Sequence, residues 1–126
     1  MMHFIWLFFI SLNMETNTNI SWADFMKVEI RVGTVISAEV FDEARNPAYK
    51  IQVDFGEYGI RKTSAQITTL YQPEDIVGKQ VIAVVNFPPK QIANIMSECL
   101  ILGAVDGKEV TLIEPGMKVK NGLRIG

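Results

Sequence analysis

A single cysteine and a single histidine are all that this 126-residue chain offers for disulfide or soft-metal chemistry. One cysteine, Cys99, excludes an intrachain disulfide and fits a reducing compartment. His3 and Cys99 together fall short of a structural zinc site, which takes about four ligands. A surplus of one charge is also missing: 12 basic and 14 acidic residues leave a net charge of −2 and a pI near 5.4. A general polyanion binder is usually basic, so any attraction for nucleic acid has to come from a local patch. No hydrophobic run is long enough to cross a bilayer. Phe4–Leu12, FIWLFFISL, is too short, lacks a basic flank, and no small-residue cleavage site follows it. Residues 1–13 therefore read as an upstream extension or a mis-assigned start, with Met14 as the expected first residue. Residues 14–126 read as one domain, with a cytoplasmic location and no membrane partner expected.

The motifs of common enzymes are missing as well. There is no glycine-rich phosphate loop, no G-x-S-x-G and no H-E-x-x-H. Cys99 sits in ECLILG, an apolar setting that makes a thiol buried and inert. The neighbouring carboxylates Asp42/Glu43 and Glu74/Asp75 fall in turns and read as solvated surface. The expectation is a protein without catalysis, cofactor or metal.

What is present is a pattern of short strands. Ile51, Val53 and Phe55 alternate with Lys50, Gln52 and Asp54, the period-two signature of a half-buried strand. Gly56-Glu57-Tyr58-Gly59 is a turn, because glycine takes positive φ without cost. The chain returns as Ile60–Gln66. Upstream, Ser21 caps a short helix over Trp22–Lys27, with Asp24 in its first turn. A strand runs over Val28–Val35 and resumes towards Val40, with Gly33 expected to mark a bulge or bend. Pro73, Glu74 and Asp75 start a short helix that Gly78 ends. Lys79–Phe87 is apolar on both faces and ends at Pro88-Pro89. Lys90–Ser97 reads as a loop or one helical turn. Glu98–Val105 is another apolar strand, and Asp106-Gly107 turns the chain into Glu109–Ile113. The tail from Pro115 has room for one more short strand. The order β-β-β-α-β-β is that of an all-β, five-stranded Greek-key barrel, the OB-fold, here with a short N-terminal helix and C-terminal extension strands. Two strands apolar on both faces need more cover than one barrel interior gives, so a homodimer is expected.

A barrel of this kind presents a sheet face and its loops to nucleic acid. Lys50, Arg61, Lys62 and Lys90 are candidates for phosphate contacts. Ser64, Gln66, Asn86 and Ser97 could bond a base edge or a 2′-hydroxyl, and Tyr49 or Met96 could stack under a base. Set against this is an ordinary solvated charged face.

The stretches WADFMKVEIRVGTV, EARNPAYKIQVDFG, GIRKTSAQIT, VVNFPPKQIA and MSECLILGA resemble the CsaA-type proteins of the tRNA-binding-domain family. That family is also appended to methionyl- and phenylalanyl-tRNA synthetases, and it is similar to the endothelial-monocyte-activating polypeptide domain. The resemblance runs from about Ile20 to the C-terminus. It implies an OB-fold, a homodimer, and binding to the tRNA body with little sequence readout. It also implies an alternative, since CsaA is described as an export-related chaperone of unfolded polypeptides in an apolar groove of the dimer. The partners expected on this basis are tRNA, a second copy of the chain, and unfolded polypeptides or an aminoacyl-tRNA synthetase. Carried across residue by residue, the resemblance puts Tyr49, Lys50, Arg61, Ser64, Gln66, Asn86, Met96, Ser97 and Glu98 on the binding face. Asn94 stands where the family often has glycine, and asparagine tolerates the left-handed region that such a turn needs. Cys99 replaces a small aliphatic residue.

Overall fold

The structure, a computed structural model, describes residues 18–126. The reading of residues 1–13 as an upstream extension lies outside them. Among the described residues, no helix is long and apolar enough to cross a membrane.

The first element is the short helix α1, Trp22–Met26. Ser21 caps it: the Ser21 Oγ accepts from the Asp24 backbone N–H at 3.0 Å, and the Asp24 carboxylate accepts from the Ser21 N–H at 3.0 Å. This reciprocal pair satisfies two donors that a helix start would leave open. Strands β1 (Ile30–Val40), β2 (Tyr49–Asp54), β3 (Ile60–Ala65) and β4 (Gln80–Val84) follow, with the one-turn helix α2 (Pro73–Ile76) between β3 and β4. The short β7 (Leu100–Ile101) completes a five-stranded antiparallel sheet in the order β3-β2-β1-β4-β7. Two hairpins decorate it, β5 (Lys90–Ile92) with β6 (Ile95–Ser97), and β8 (Gly103–Asp106) with β9 (Glu109–Leu112). The sheet curls into a nearly closed barrel with few helical residues, the OB-like all-β fold that the strand pattern predicts.

The core is the inward set of the alternation: Val35, Ile51, Val53, Phe55, Ile76, Val81, Ala83 and Val85 are all buried. Gly33 belongs to that packing. A Cβ there would lie 2.5 Å from Val53 Cγ1 and 2.8 Å from the Phe55 ring, so only glycine lets the barrel wall close over Phe55. The expected irregularity of β1 falls three residues later. Register passes from Val35↔Val53 to Ser37↔Gln52, leaving Ile36 unmatched and 42% exposed. A bulge of this kind bends a strand and re-aims the residues that follow. Gly56 and Gly59 take positive φ in the β2–β3 turn, as the sequence predicts.

Three expectations are revised. Lys90–Ser97 is a β-hairpin, closed by the pairs Lys90↔Ser97, Gln91↔Met96 and Ile92↔Ile95. Its left-handed residue is Ala93 at φ 49°, one place before Asn94. Glu98–Val105 is broken into β7 and β8: Leu102 still donates to the Ile82 carbonyl of β4 at 2.8 Å, but its own carbonyl accepts from Ile113 N–H, and from Gly103 the chain pairs with β9. The C-terminal tail forms no full strand. It follows β1 through Val32 N–H to Leu123 O at 3.0 Å, Gly122 N–H to Val32 O at 2.7 Å and a single bridge, Arg31↔Arg124.

Both faces of β4 are covered within one chain: Val81 and Ala83 inward, Ile82 and Val84 on the other side at 5% exposure each. That burial removes the reason the sequence gives for a second subunit at β4. The strongly exposed apolar side chains lie elsewhere, at Ile20 and Trp22 (71% each), Val105 (73%) and Met117 (77%).

Candidate nucleic-acid interface

The outer face of β1, β2 and β3 is set by cross-strand pairs, whose side chains share a side of an antiparallel sheet. Glu39 faces Lys50 and Lys50 faces Ser64; Ser37 faces Gln52 and Gln52 faces Lys62. Two lysines, a carboxamide and two hydroxyls thus occupy one surface, with Glu39 at its edge. Lys50 Nζ lies 3.3 Å from the Glu39 carboxylate and 5.4 Å from the Phe41 ring centroid. The pair is half open to water, so its strength is modest. A recess of about 270 Å³ opens here, lined by Ser37, Glu39, Lys50, Gln52, Lys62 and Ile95 among others.

Arg61 does not converge with Lys62. Successive residues of a strand point to opposite faces, and Arg61 is paired with the core residue Val53. Its guanidinium is half-buried at one end of the barrel and donates to the Val85 carbonyl at 2.6 Å. There it lies near Glu29, whose carboxyl is held below its usual range first by the hydrogen bond from Arg31, with Arg31, Arg124 and Arg61 adding attraction against the opposing effect of burial.

Tyr49 is also placed away from the surface. It is 4% exposed, and its hydroxyl donates to the Tyr71 carbonyl at 2.7 Å, so no base can stack on it. Loss of hydration pushes its phenol pKa up, and Glu74 and Asp75 push the same way. Asn86 is exposed but engaged at both ends: its Oδ1 accepts from Glu29 N–H at 2.9 Å, and its amide donates to Lys27 O at 2.6 Å. It pins the end of α1 to the end of β4. Glu98 stands in for a strand residue. Its carboxylate accepts from Lys62 N–H at 3.0 Å and its own N–H donates to Lys62 O at 2.8 Å.

Ser64, Gln66, Lys90 and Ser97 are brought together in a second place, a groove of about 790 Å³. It follows the seam where the barrel is not fully closed, with Ser64–Ile67 on one wall and Leu100–Gly103 on the other. Most of its lining is apolar, including Phe87, Ile92, Leu100, Val105 and Val110. The groove lies within one chain, whereas the resemblance implied a groove of the dimer. Met96 sits on the β5–β6 hairpin, 42% exposed. Thr63 closes the seam beneath: it is 1% exposed, donates to Cys99 O at 2.7 Å and shares a 2.8 Å hydrogen bond with Ser97 Oγ. The Cys99 thiol is buried, which pushes its pKa up to about 12 and leaves it protonated and inert at neutral pH.

Sequence reasoning missed Gln52, Ser37 and Ile95. Gln52 was legible, since it occupies an outward place in the same alternation as Lys50. Ile95 was not, because only the folded hairpin brings it over β2.

Comparison with known proteins shows the family. Residues 30–124 match the family model described as "Putative tRNA binding domain". The chain is 35% identical over 111 residues to the methionine–tRNA ligase of Leptospira interrogans, covering 88% of this chain and 15% of the ligase. The Methanosarcina mazei ligase is 35% identical over 115 residues, covering 90% of this chain and 16% of that protein. The chain thus spans about a sixth of the ligases it matches. Among solved structures, the chaperone CsaA of Bacillus anthracis superposes with a TM-score of 0.83 at 47% identity, covering 86% of this chain and all (100%) of that one. The CsaA chaperone of Picrophilus torridus gives 0.80 at 45%, with 86% and 100% coverage. With nearly its whole barrel inside the matched region, this chain belongs to the tRNA-binding-domain family and is of the CsaA type.

Proposed function

We propose that the chain is a non-catalytic protein that binds the body of tRNA through the outer face of β1–β3, acting as a homodimer in the cytoplasm. The observation that carries this reading is the placement of Lys50 and Lys62 on adjacent strands of one face, beside Ser64 and Gln52. Lys90 stands apart from this face, on the β5–β6 hairpin at the seam groove. Net charge is −2, so these lysines supply the attraction locally. Arg61 and Asn86 support the face from behind by their bonds at the C-terminal end of β4, and Ser97 and Glu98 do so by fastening β6 to β3. Dimerisation rests on the exposed apolar residues Ile20, Trp22 and Met117. Two copies of the face suit a folded RNA larger than one barrel. The likeness to part of methionine–tRNA ligases makes a synthetase a fitting partner.

The test is tRNA affinity over a salt series. Lys62→Ala should lower the log–log salt slope by about one unit, similarly for different tRNAs. Lys108→Ala, in the β8–β9 hairpin, should leave it unchanged. Equal behaviour of the two variants, or no tRNA binding by the parent at low salt, sinks the assignment.

A second reading, polypeptide binding, is favoured by the seam groove. Its apolar lining suits extended apolar segments, and its capture of them should change little with salt.

A further inference from the structure

The recess on the outer face differs from a plain phosphate site. Its lining holds Lys50 and Lys62, yet Glu39 stands among them with its carboxylate 3.3 Å from Lys50 Nζ. A phosphate seated there would meet that carboxylate; an uncharged group would not. The recess also contains a carboxamide that the fold leaves unengaged. Among the described residues, the amides of Asn86 and Gln80 are consumed by structure. Asn86 serves Glu29 N–H and Lys27 O; Gln80 serves both the N–H and the O of Val119. Gln52 is exposed between Ser37 and Lys62, its donor and acceptor open to solvent. The bulge at Ile36 puts Ser37 opposite Gln52 and so widens this polar floor. Ile95 and Ala38 add apolar surface. At about 270 Å³ the recess is just below the roughly 300–1,000 Å³ typical of drug-sized ligands, the scale of a single base.

We propose that this recess takes one unpaired adenine of the bound RNA, with Gln52 as the residue that reads it. The inference rests on the RNA-binding reading above. A carboxamide matches a base edge that presents a donor beside an acceptor, which adenine offers at N6 and N7. The second N6 hydrogen is then directed to the acidic edge of the recess at Glu39, while Lys62 meets the flanking phosphate. Guanine presents two acceptors on that edge, which suit a Lys or Arg better than a carboxamide and Glu39. A paired, stacked base cannot enter, so the target is a bulge or loop.

The probes are three RNA hairpins with one stem: fully paired, with a single bulged adenosine, and with a single bulged guanosine. The parent should bind the adenosine bulge about tenfold more tightly than the paired hairpin. Gln52→Ala, an exposed change whose melting temperature should match the parent's, should remove that preference and keep the salt slope. Lys62→Ala should weaken all three alike, lower the slope by about one unit and keep the preference. Equal parent affinity for the three hairpins, or a preference that survives Gln52→Ala, overturns the inference while the Lys62 effect leaves the RNA reading standing. No binding of any hairpin or of tRNA at low salt overturns both.

Discussion

The two recesses flank the same strand, β3, yet they differ in nearly every physical respect. The outer recess is small, polar and charged; the seam groove is about three times larger and mostly apolar. The difference comes from what bounds each one. The outer recess sits on β1, β2 and β3, which are paired along their length save for the bulge at Ile36 and whose outward residues alternate with the core and are free to be polar. The groove lies where pairing fails, between the end of β3 and the two-residue β7, so its walls expose residues that a closed barrel would bury. A closed sheet yields a surface for ions and base edges, and an interrupted one yields a slot for apolar chains.

The contrast can be broken from either side. Replacing Lys50 and Lys62 together by alanine should lower the tRNA salt slope by about two units and leave polypeptide capture unaltered, as read by fluorescence titration in parallel. Val105→Asp, at a 73% exposed position in the groove, should weaken capture of an apolar peptide about tenfold or more while tRNA affinity stays within twofold. If either substitution weakens both ligands equally, the two recesses are one site.

Thr63→Val probes the wall they share. It removes the hydrogen bond to the Cys99 carbonyl and the one shared with Ser97. Stability measured by urea unfolding should fall by ~1–3 kcal/mol, and both ligands should bind less tightly.

Cys99 gives a subtler test, with a sign that follows from its environment. Its folded pKa, about 12, lies above the ordinary 9.0 because of burial. The folded state therefore holds this proton longer than the unfolded chain does. Its contribution to stability is complete below pH 9 and is lost as pH rises towards 12. Over that window the parent should lose stability more steeply than Cys99→Ala, and the thiol should resist alkylation at pH 8 until the chain unfolds. The smallest effect is expected at the hairpin tip. Ala93 at φ 49° is in a region that costs a side chain ~1 kcal/mol, so Ala93→Gly should raise the urea midpoint slightly without touching either recess.

What the sequence by itself determined were the features that depend on neighbours in the chain. The alternation of Lys50–Phe55, the glycine turn at 56–59, the Ser21 cap and the Asp106-Gly107 hairpin all stand where local chemistry puts them. The same alternation separates Arg61 from Lys62, since one step along a strand reverses the face. Tertiary structure decided everything that needs partners dozens of residues apart. Asn86 is tied to Lys27 and Glu29, Glu98 to Lys62, and Thr63 to Cys99. Two polar groups that looked available for RNA, those of Asn86 and Glu98, were claimed by backbone groups, because leaving those unpaired costs more than leaving a surface side chain in solvent. Gln52, which the sequence did not single out, is left open by the fold, as is Gln66, which it did. The seam itself arises because β7 pairs with β4 over two residues before the chain passes into the β8–β9 hairpin, and no local signal in ECLILG encodes where its neighbour β3 will end.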